Sequence, residues 1–185
     1  MHTYPITIRH IFISPGHNYF GRPKDGPGPH ATLDVDQVEA VTGQGLRGDR
    51  YLGVAAHYDA QITFVAWEVF SALRDELGIP DASPSLMRRN VVVEGVPLNQ
   101  LIGQPFQLDF GTHVVDFAGA KHCAPCAWMN AMLAPGAQHF LRGRGGLRAR
   151  ILSDGLIVRG PARLRTEIPL NLDARLEPLA RPRLP

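Results

Sequence analysis

The sequence predicts a mainly β (α+β) protein built on a closed or nearly closed β-barrel with a few short helices. About seven to nine short segments alternate apolar and polar residues, which is typical of half-buried strands. These strands do not alternate regularly with crossover helices, as the strands of a doubly wound sheet do. A barrel with helices at its ends is therefore the better interpretation.

The chain of 185 residues is expected to form one domain over residues 1–170. Residues 14–30 are dense in glycine and proline, which argues against a regular element and indicates a functional or a mobile loop within that domain. Residues 14–21 are expected to fold over a site, and residues 22–29 are expected to be flexible. Residues 171–185 are expected to form a loosely held C-terminal tail.

Charge and composition argue against several classes of protein. A formal net charge of +2 argues against a general nucleic-acid-binding protein. The chain has no run of about 18 apolar residues, so we expect no membrane span. Two cysteines do not make a disulfide scaffold, and a cytoplasmic, reducing environment fits them best.

Period-two alternation and turn residues place the strands. The predicted strands cover residues 6–13, 32–41, 61–65, 106–110, 113–117, 156–159 and 162–168, with a buried strand starting at 91. A turn at Gly111-Thr112 joins two of them into a hairpin, and Asp154-Gly155 also has hairpin-turn chemistry.

Helical spacing is clearest between residues 67 and 77, where Val69, Phe70 and Leu73 recur on one face. Gly78 is expected to end this helix. Shorter helical pieces are predicted at residues 98–102 and 136–141, and another helix is expected to begin at the cysteines.

The two cysteines, Cys123 and Cys126, are taken as the chemical centre. Pro125 suits a first helical turn, so Cys126 is expected in that turn. Unpaired backbone N–H groups and the helix dipole there favour a thiolate, and Lys121 and His122 would add positive potential.

The Cys-x-x-Cys pattern leaves several interpretations open. Cys123, Cys126 and His139 begin a zinc-finger spacing, but no histidine follows His139 to complete four ligands. A thioredoxin-like redox couple would need a βαβ setting. The others are two inert buried cysteines, or a working thiolate at Cys126 with Cys123 as its auxiliary.

Arginines that lie among glycines or just before a buried strand suggest an anion site. Three glycines bracket Arg47, Asp49 and Arg50, although the same residues could simply form a tight turn held by an Asp–Arg pair. The predicted binding residues are Arg47, Asp49, Arg50, Arg88, Arg89, Asn90, Arg144 and Arg148. His17, Asn18 and Tyr19 would line a lid in the 14–30 loop.

Taken together, these segments resemble the MOSC domain, the module named after the C-terminal part of molybdenum cofactor sulfurase. The motifs occur in the family's order within residues 6–168. They are GLRGDRY at 45–51, LMRRNVVVEG at 86–95, LIGQPF at 101–106, CAPC at 123–126 and GRGGLRAR at 143–150.

The resemblance implies a MOSC-type barrel and a link to the molybdenum cofactor. Cys126 matches the family's cysteine that is thought to carry sulfur as a persulfide or, in the amidoxime-reducing members, to ligate molybdenum. Arg88 and Asn90 match the Arg-x-Asn motif that would contact the pterin cofactor. Pyridoxal phosphate, mentioned for some members, would need a lysine, for which Lys121 is the candidate.

Two departures from the family pattern shape the functional expectation. Gly160-Pro161 stands where the family has a closing Gly-Asp, and the extra N-terminal β domain of the amidoxime-reducing members has no counterpart. A binding or sulfur-handling module is therefore expected ahead of a full molybdoenzyme.

We expect a stand-alone MOSC protein that binds molybdenum cofactor or a related anionic ligand and handles sulfur through Cys126. Cys126 would be the persulfide carrier or the metal ligand, with Cys123 as resolving thiol or second carrier. Its partners would be a pterin cofactor or small anionic ligand and a sulfur donor or acceptor protein. The alternative is a non-catalytic module that binds cofactor or a phosphate ligand.

Overall fold

Eleven strands form the framework of the structure, which is a computed structural model and describes residues 1–180. They are β1 (His2–Ile13), β2 (Leu33–Asp34), β3 (Gln37–Val41), β4 (Gly45–Leu46), β5 (Ile62–Ala66), β6 (Val91–Glu94), β7 (Pro105–Asp109), β8 (Val114–His122), β9 (Leu147–Ile151), β10 (Gly155–Val158) and β11 (Gly160–Thr166).

Helices are short and lie between the strands. The α-helices are α1 (Trp67–Leu77), α2 (Trp128–Met132) and α3 (Ala137–Phe140). The 3-10 turns are Pro23–Asp25, Ala55–Ala60, Pro84–Met87, Leu98–Leu101 and Leu172–Leu176. Within residues 1–180, no helix is long and apolar enough to cross a membrane.

Seven strands close into a mixed barrel in the order β11, β7, β8, β9, β5, β6 and β1, and β1 pairs back to β11. The long first strand makes this closure possible: residues 2–8 pair with β11 and residues 7–11 pair with β6. Only β5 and β6 are parallel among these pairs, because α1 carries the chain back between them. The predicted closed barrel with short helices is confirmed.

Aromatic side chains pack together in the core. The rings of Phe64, Phe106 and Phe117 lie 5.2 to 5.7 Å apart, within the range of favourable aromatic pairs. The helix α1 buries Val69 and Phe70 and ends at Gly78, which takes the left-handed conformation at φ +62°. The predicted bounds of this helix are confirmed.

The segment predicted as one strand at residues 32–41 is divided between two sheets. Its first part, β2, pairs with the end of β1, whereas β3 joins β10 and β4 in a separate three-stranded sheet. The Asp34 carboxylate accepts a hydrogen bond from His10 at 2.8 Å and also pairs with Arg159. These contacts hold the chain where it passes from one sheet to the other.

Asp154 and Gly155 do not turn β9 into a hairpin with β10, because β10 pairs with β3 instead. The Asp154 carboxylate accepts a hydrogen bond from the Thr42 backbone N–H at 2.6 Å. The chain bends at Ser153, but β9 and β10 are not neighbours, so the predicted hairpin turn is wrong.

The tail predicted at residues 171–185 lies partly outside the described residues, which end at 180. Within the described part, the Leu179 N–H donates to the Gly143 carbonyl at 2.8 Å. The Asn99 side chain donates to the Glu177 carbonyl at 3.1 Å. Residues 171–180 are thus hydrogen-bonded to the loops beside the barrel.

A glycine in β8 is required by a close backbone approach. A Cβ atom added at Gly119 would lie 1.9 Å from the Leu101 carbonyl oxygen. Gly119→Ala should lower the free energy of unfolding in urea by about 1–3 kcal/mol, because the backbone must shift to relieve the overlap. Ala118→Gly, the matched control on the same strand, should cost about 1 kcal/mol or less. Equal stability of Gly119→Ala and the parent protein would contradict this packing.

Candidate functional site

An open cleft of about 820 Å³, counting the space at its mouth, lies where β1 ends and β6 begins. The lining residues are Phe12, Ile13, Ser14, Gly16, Asn18, Tyr19, Thr32, Arg50, Tyr51, His57, Ala60, Thr63, Ser85, Arg88, Arg89, Asn90, Cys123 and Arg148. Four of them are arginines, and within the described chain no aspartate or glutamate lines the cleft.

Arg88 connects the cleft to a cysteine. Its Nη1 donates a hydrogen bond to the Cys126 Sγ at 3.2 Å, and its Cζ lies 4.2 Å from the centre of the Tyr19 ring. Arg88 is also the only non-glycine residue with positive φ in residues 1–180, at φ +61°. Such backbone strain is tolerated where surrounding contacts fix the residue, and it is common at functional sites.

Cys126 is exposed and precedes α2, which is only five residues long and begins at Trp128. The prediction that Cys126 lies inside the first helical turn is therefore wrong by two residues. Its carbonyl still accepts a hydrogen bond from the Met129 N–H at 2.9 Å, so the residue belongs to the helix entry. The positive partner of its sulfur is the Arg88 guanidinium.

Cys123 differs from Cys126 in being almost fully buried, with 2% of its surface exposed. It is also one of the residues that line the arginine-rich cleft. Its backbone N–H donates to the Gly146 carbonyl at 2.8 Å. A Cβ atom at Gly145 would lie 2.0 Å from the Cys123 carbonyl oxygen, so the glycine pair lets the two segments meet.

His122 and Arg89 both hydrogen-bond to Gly145, which packs against Cys123. The Gly145 N–H donates to the His122 Nε2 at 3.0 Å, and the Arg89 Nε donates to the Gly145 carbonyl at 2.8 Å. An imidazole nitrogen that accepts a hydrogen bond is unprotonated, so His122 adds no positive charge. The expectation of positive potential from His122 is therefore wrong.

Asp49 and Asn90 support the cleft wall. The Asp49 carboxylate accepts hydrogen bonds from the backbone N–H groups of Ser14 and Tyr51 at 3.2 and 3.1 Å. Its contact with Arg50 is 3.4 Å. The Asn90 amide oxygen accepts from the N–H and the hydroxyl of Thr63 at 3.1 and 2.8 Å, and its nitrogen donates to the Phe12 carbonyl at 3.2 Å. Asn90 lines the cleft, whereas Asp49 does not.

Arg47 and Arg144 do not reach the cleft. Arg47 forms a two-bond contact with Glu39 on the surface, at 3.2 and 3.0 Å. Arg144 donates to the carbonyls of Leu176 and Phe140 at 2.8 and 3.0 Å and so holds the C-terminal segment. The other predicted arginines, Arg50, Arg88, Arg89 and Arg148, do line the cleft.

Lys121, the candidate lysine for pyridoxal phosphate, also lies outside the cleft. Its ammonium group pairs with the Asp59 carboxylate at 2.6 Å and does not line the cleft.

Within residues 1–180, no three His, Cys, Asp or Glu side chains form a group that could hold a metal ion. A closed zinc site that includes His139 therefore has no support in the structure.

The predicted lid is held in place by its own contacts. The Asn18 amide donates to the His30 carbonyl at 2.6 Å and accepts from the His30 N–H at 2.9 Å, which closes the loop. Asn18 and Tyr19 line the cleft. His17 lies beside it, with its ring centre 6.0 Å from that of Tyr51.

A protein-family comparison matches the MOSC domain over residues 37–162. This match covers more than half of the chain and includes Arg88, Cys126 and Arg148. The chain belongs to the MOSC domain family. The family match begins after the 14–30 loop, so Tyr19 and its neighbours lie outside it.

Solved structures show the same MOSC fold at low sequence identity. The YuaD protein from Bacillus subtilis is 16% identical, with a TM-score of 0.69, over 90% of this chain and 99% of that one. YiiM from Geobacillus stearothermophilus is 16% identical with a TM-score of 0.60, over 86% and 75%. YiiM from Escherichia coli is 14% identical with a TM-score of 0.58, over 95% and 76%. No curated protein sequence matches the chain.

The MOSC cleft is lined by four arginines and, within the described chain, by no carboxylate that would balance their charge. Burial lowers the pKa of His17, and the charges of Arg50 and Arg88 lower it further. Burial also lowers the pKa of His57, helped by Arg148 and Arg50. These imidazoles resist protonation first because they are partly buried and then because the neighbouring arginines are positive.

Several lining residues were not predicted from the sequence. The most prominent are Tyr51 and His57, whose rings stack with centres 3.8 Å apart. Thr63 and Ser14 add polar groups to the wall. Tyr51 could have been predicted, because it follows the predicted binding residue Arg50. His57 lies in a 3-10 turn, where no sequence periodicity indicates its position.

His122 should make the protein less stable in mild acid. Burial, then Arg89 and Arg148, lower its pKa in the folded state, so the unfolded chain binds the proton more readily. The free energy of unfolding should be greatest above about pH 6.5 and should fall as the pH drops towards the lower folded-state pKa.

His122→Gln can still accept from the Gly145 N–H but cannot titrate. Urea denaturation at pH 7.5 and pH 5 should therefore show a smaller acid-induced loss in this variant than in the parent protein. The pH 7.5 measurement controls for repacking. Equal losses in the two proteins would contradict the assignment.

Proposed function

We propose that this MOSC-domain protein binds molybdenum cofactor or a related anionic ligand in the arginine-lined cleft and handles sulfur through Cys126. The observation that carries the proposal is the 3.2 Å contact between the Arg88 Nη1 and the Cys126 Sγ at the cleft edge. A guanidinium is a better partner for a thiolate than for a thiol, and the thiolate is the form that binds soft metals and attacks sulfur.

The donor set of the cleft fits an anionic cofactor. Arg50, Arg88 and Arg148 would hold its phosphate and other anionic groups, because guanidinium forks match phosphate geometry. The Nε atoms of Arg50 and Arg88 are buried without a hydrogen-bond partner in the protein. The Arg148 guanidinium makes no hydrogen bond or ion pair with another residue of 1–180. When bound, the cofactor would supply a redox-active metal centre that prefers thiolate ligands.

The exposed position of Cys126 suits sulfur handling with a partner protein. A persulfide donor would pass its outer sulfur to the Cys126 thiolate: the donor S–S bond breaks, a new S–S bond forms on Cys126, and the donor leaves as a thiolate. Because Cys123 is buried and lines the cleft, it is reached through the cleft and would act as the second, resolving thiol.

A non-catalytic binding module is the second candidate function. One observation favours it: Cys126 itself is not among the residues of 1–180 that line the cleft. In this case the protein would hold a phosphate ligand, and the cysteines would serve only the fold.

Replacing one sulfur atom should separate the two candidates. Cys126→Ser should lose bound molybdenum, or the added mass of one sulfur atom (about 32 Da), because both require a thiolate. Elemental analysis and intact-mass spectrometry of the protein as isolated measure both quantities. Its thermal unfolding should match the parent, since Cys126 is exposed. A variant that keeps the full molybdenum and sulfur content would leave only the binding module.

Arginine variants with opposite expectations test the anion site. Arg148→Gln should weaken pyrophosphate binding, measured by calorimetry, by about tenfold or more, because a charge-assisted hydrogen bond is lost. Arg47→Gln is the matched control: Arg47 is bound to Glu39 outside the cleft, so its loss should change the affinity by less than about twofold. If the two variants weaken binding equally, the cleft is not the anion site.

A further inference from the structure

The Tyr19 ring contacts Arg88, which binds the Cys126 sulfur, and Trp128, which begins the helix after Cys126. The Arg88 Cζ lies 4.2 Å from the centre of its ring, and Arg88 in turn holds the Cys126 Sγ. The edge of the same ring system packs against Trp128, with centres 5.4 Å apart at an angle of 73°. Trp128 is buried and begins α2, two residues after Cys126.

The contact with the Tyr19 ring helps to hold Arg88 in its left-handed backbone conformation. Arg88 has a left-handed backbone at φ +61°, ψ 37°, which only surrounding contacts can maintain in a residue with a side chain. Its guanidinium has no carboxylate partner within residues 1–180, so the ring face and the sulfur are the groups that hold it. Removing the ring would release the guanidinium from the thiol.

The loop that carries Tyr19 is built to keep this ring in position. Asn18, the preceding residue, is buried and forms two hydrogen bonds with the backbone of His30. The Tyr19 N–H donates to the His17 Nδ1 at 3.2 Å, and the Gly28 N–H donates to the Asn18 carbonyl at 2.7 Å. Both ends of the 14–30 loop thus fix the backbone next to Tyr19.

We propose that Tyr19 is a positioning residue that holds Arg88 against Cys126, so that the 14–30 loop sets the reactivity of this thiol. The inference rests on the proposed role of Cys126, but it concerns a different residue and a different element. Loop movement would withdraw the ring from Arg88 and make the thiol less reactive, which links closure over the cleft to sulfur chemistry.

The rate of Cys126 alkylation tests the inference without any bound cofactor. Tyr19→Leu should slow the reaction with iodoacetamide at neutral pH by about two- to tenfold, the range of a cation–π contact. Tyr19→Phe should restore the parent rate, because the Tyr19 hydroxyl makes no hydrogen bond within the described protein. Peptide mass spectrometry distinguishes Cys126 from the buried Cys123.

Two further variants separate positioning from simple loss of structure. Phe20→Leu changes an exposed ring that packs near His17 and not near Arg88, so its rate should match the parent. In an Arg88→Gln background, which should itself be slow, Tyr19→Leu should cause no further fall.

An unchanged rate in Tyr19→Leu would overturn the inference. So would a fall of equal size in the Arg88→Gln background, because Tyr19 would then act independently of Arg88. A normal Tyr19 effect in a protein that carries neither molybdenum nor sulfur would instead overturn the proposed function and leave the positioning role intact.

Discussion

Four guanidinium groups face one cleft, and no carboxylate of the described chain lies on its walls. Like charges at close range repel, and partial burial strengthens the repulsion, so contacts with other groups are needed to hold the arginines, and three of the four have them. Arg50 has Asp49 behind it and the Tyr51 ring at 4.4 Å. Arg89 donates to backbone carbonyls, and Arg88 lies between a ring and a sulfur. This charge imbalance is the basis of the proposal that the cleft binds an anion.

The barrel supplies the rigid positions that this arrangement needs. The Phe12 N–H donates to the Asn90 carbonyl at 2.6 Å, which ties the end of β1 to the entry of β6. Asn90 then links Thr63 and Phe12 through its side chain, so three segments share one residue. On the other side, the Gly145–Gly146 pair brings the cysteine segment against the barrel. Asn90 and the cysteine segment are thus positioned by contacts with the barrel.

The features that could be predicted from the sequence are those with local causes. The hairpin around Gly111 and the helix ended by Gly78 depend on neighbouring residues only, and both match the structure. The contact between Arg88 and Cys126 joins residues 38 positions apart, and no local pattern encodes it. Similarly, nothing near Arg47 or Arg148 in the sequence indicates that the first is bound to Glu39 and the second faces the cleft. Only the fold decides which arginines keep a free guanidinium.

A crystal structure of the protein with tungstate, an anion located by its anomalous scattering, would show directly whether the cleft binds anions. We expect the ion in the cleft, within hydrogen-bond distance of the Arg88 and Arg148 guanidinium groups and next to the Cys126 sulfur. Tungstate bound only at surface arginines outside the cleft, with the cleft filled by water, would contradict it.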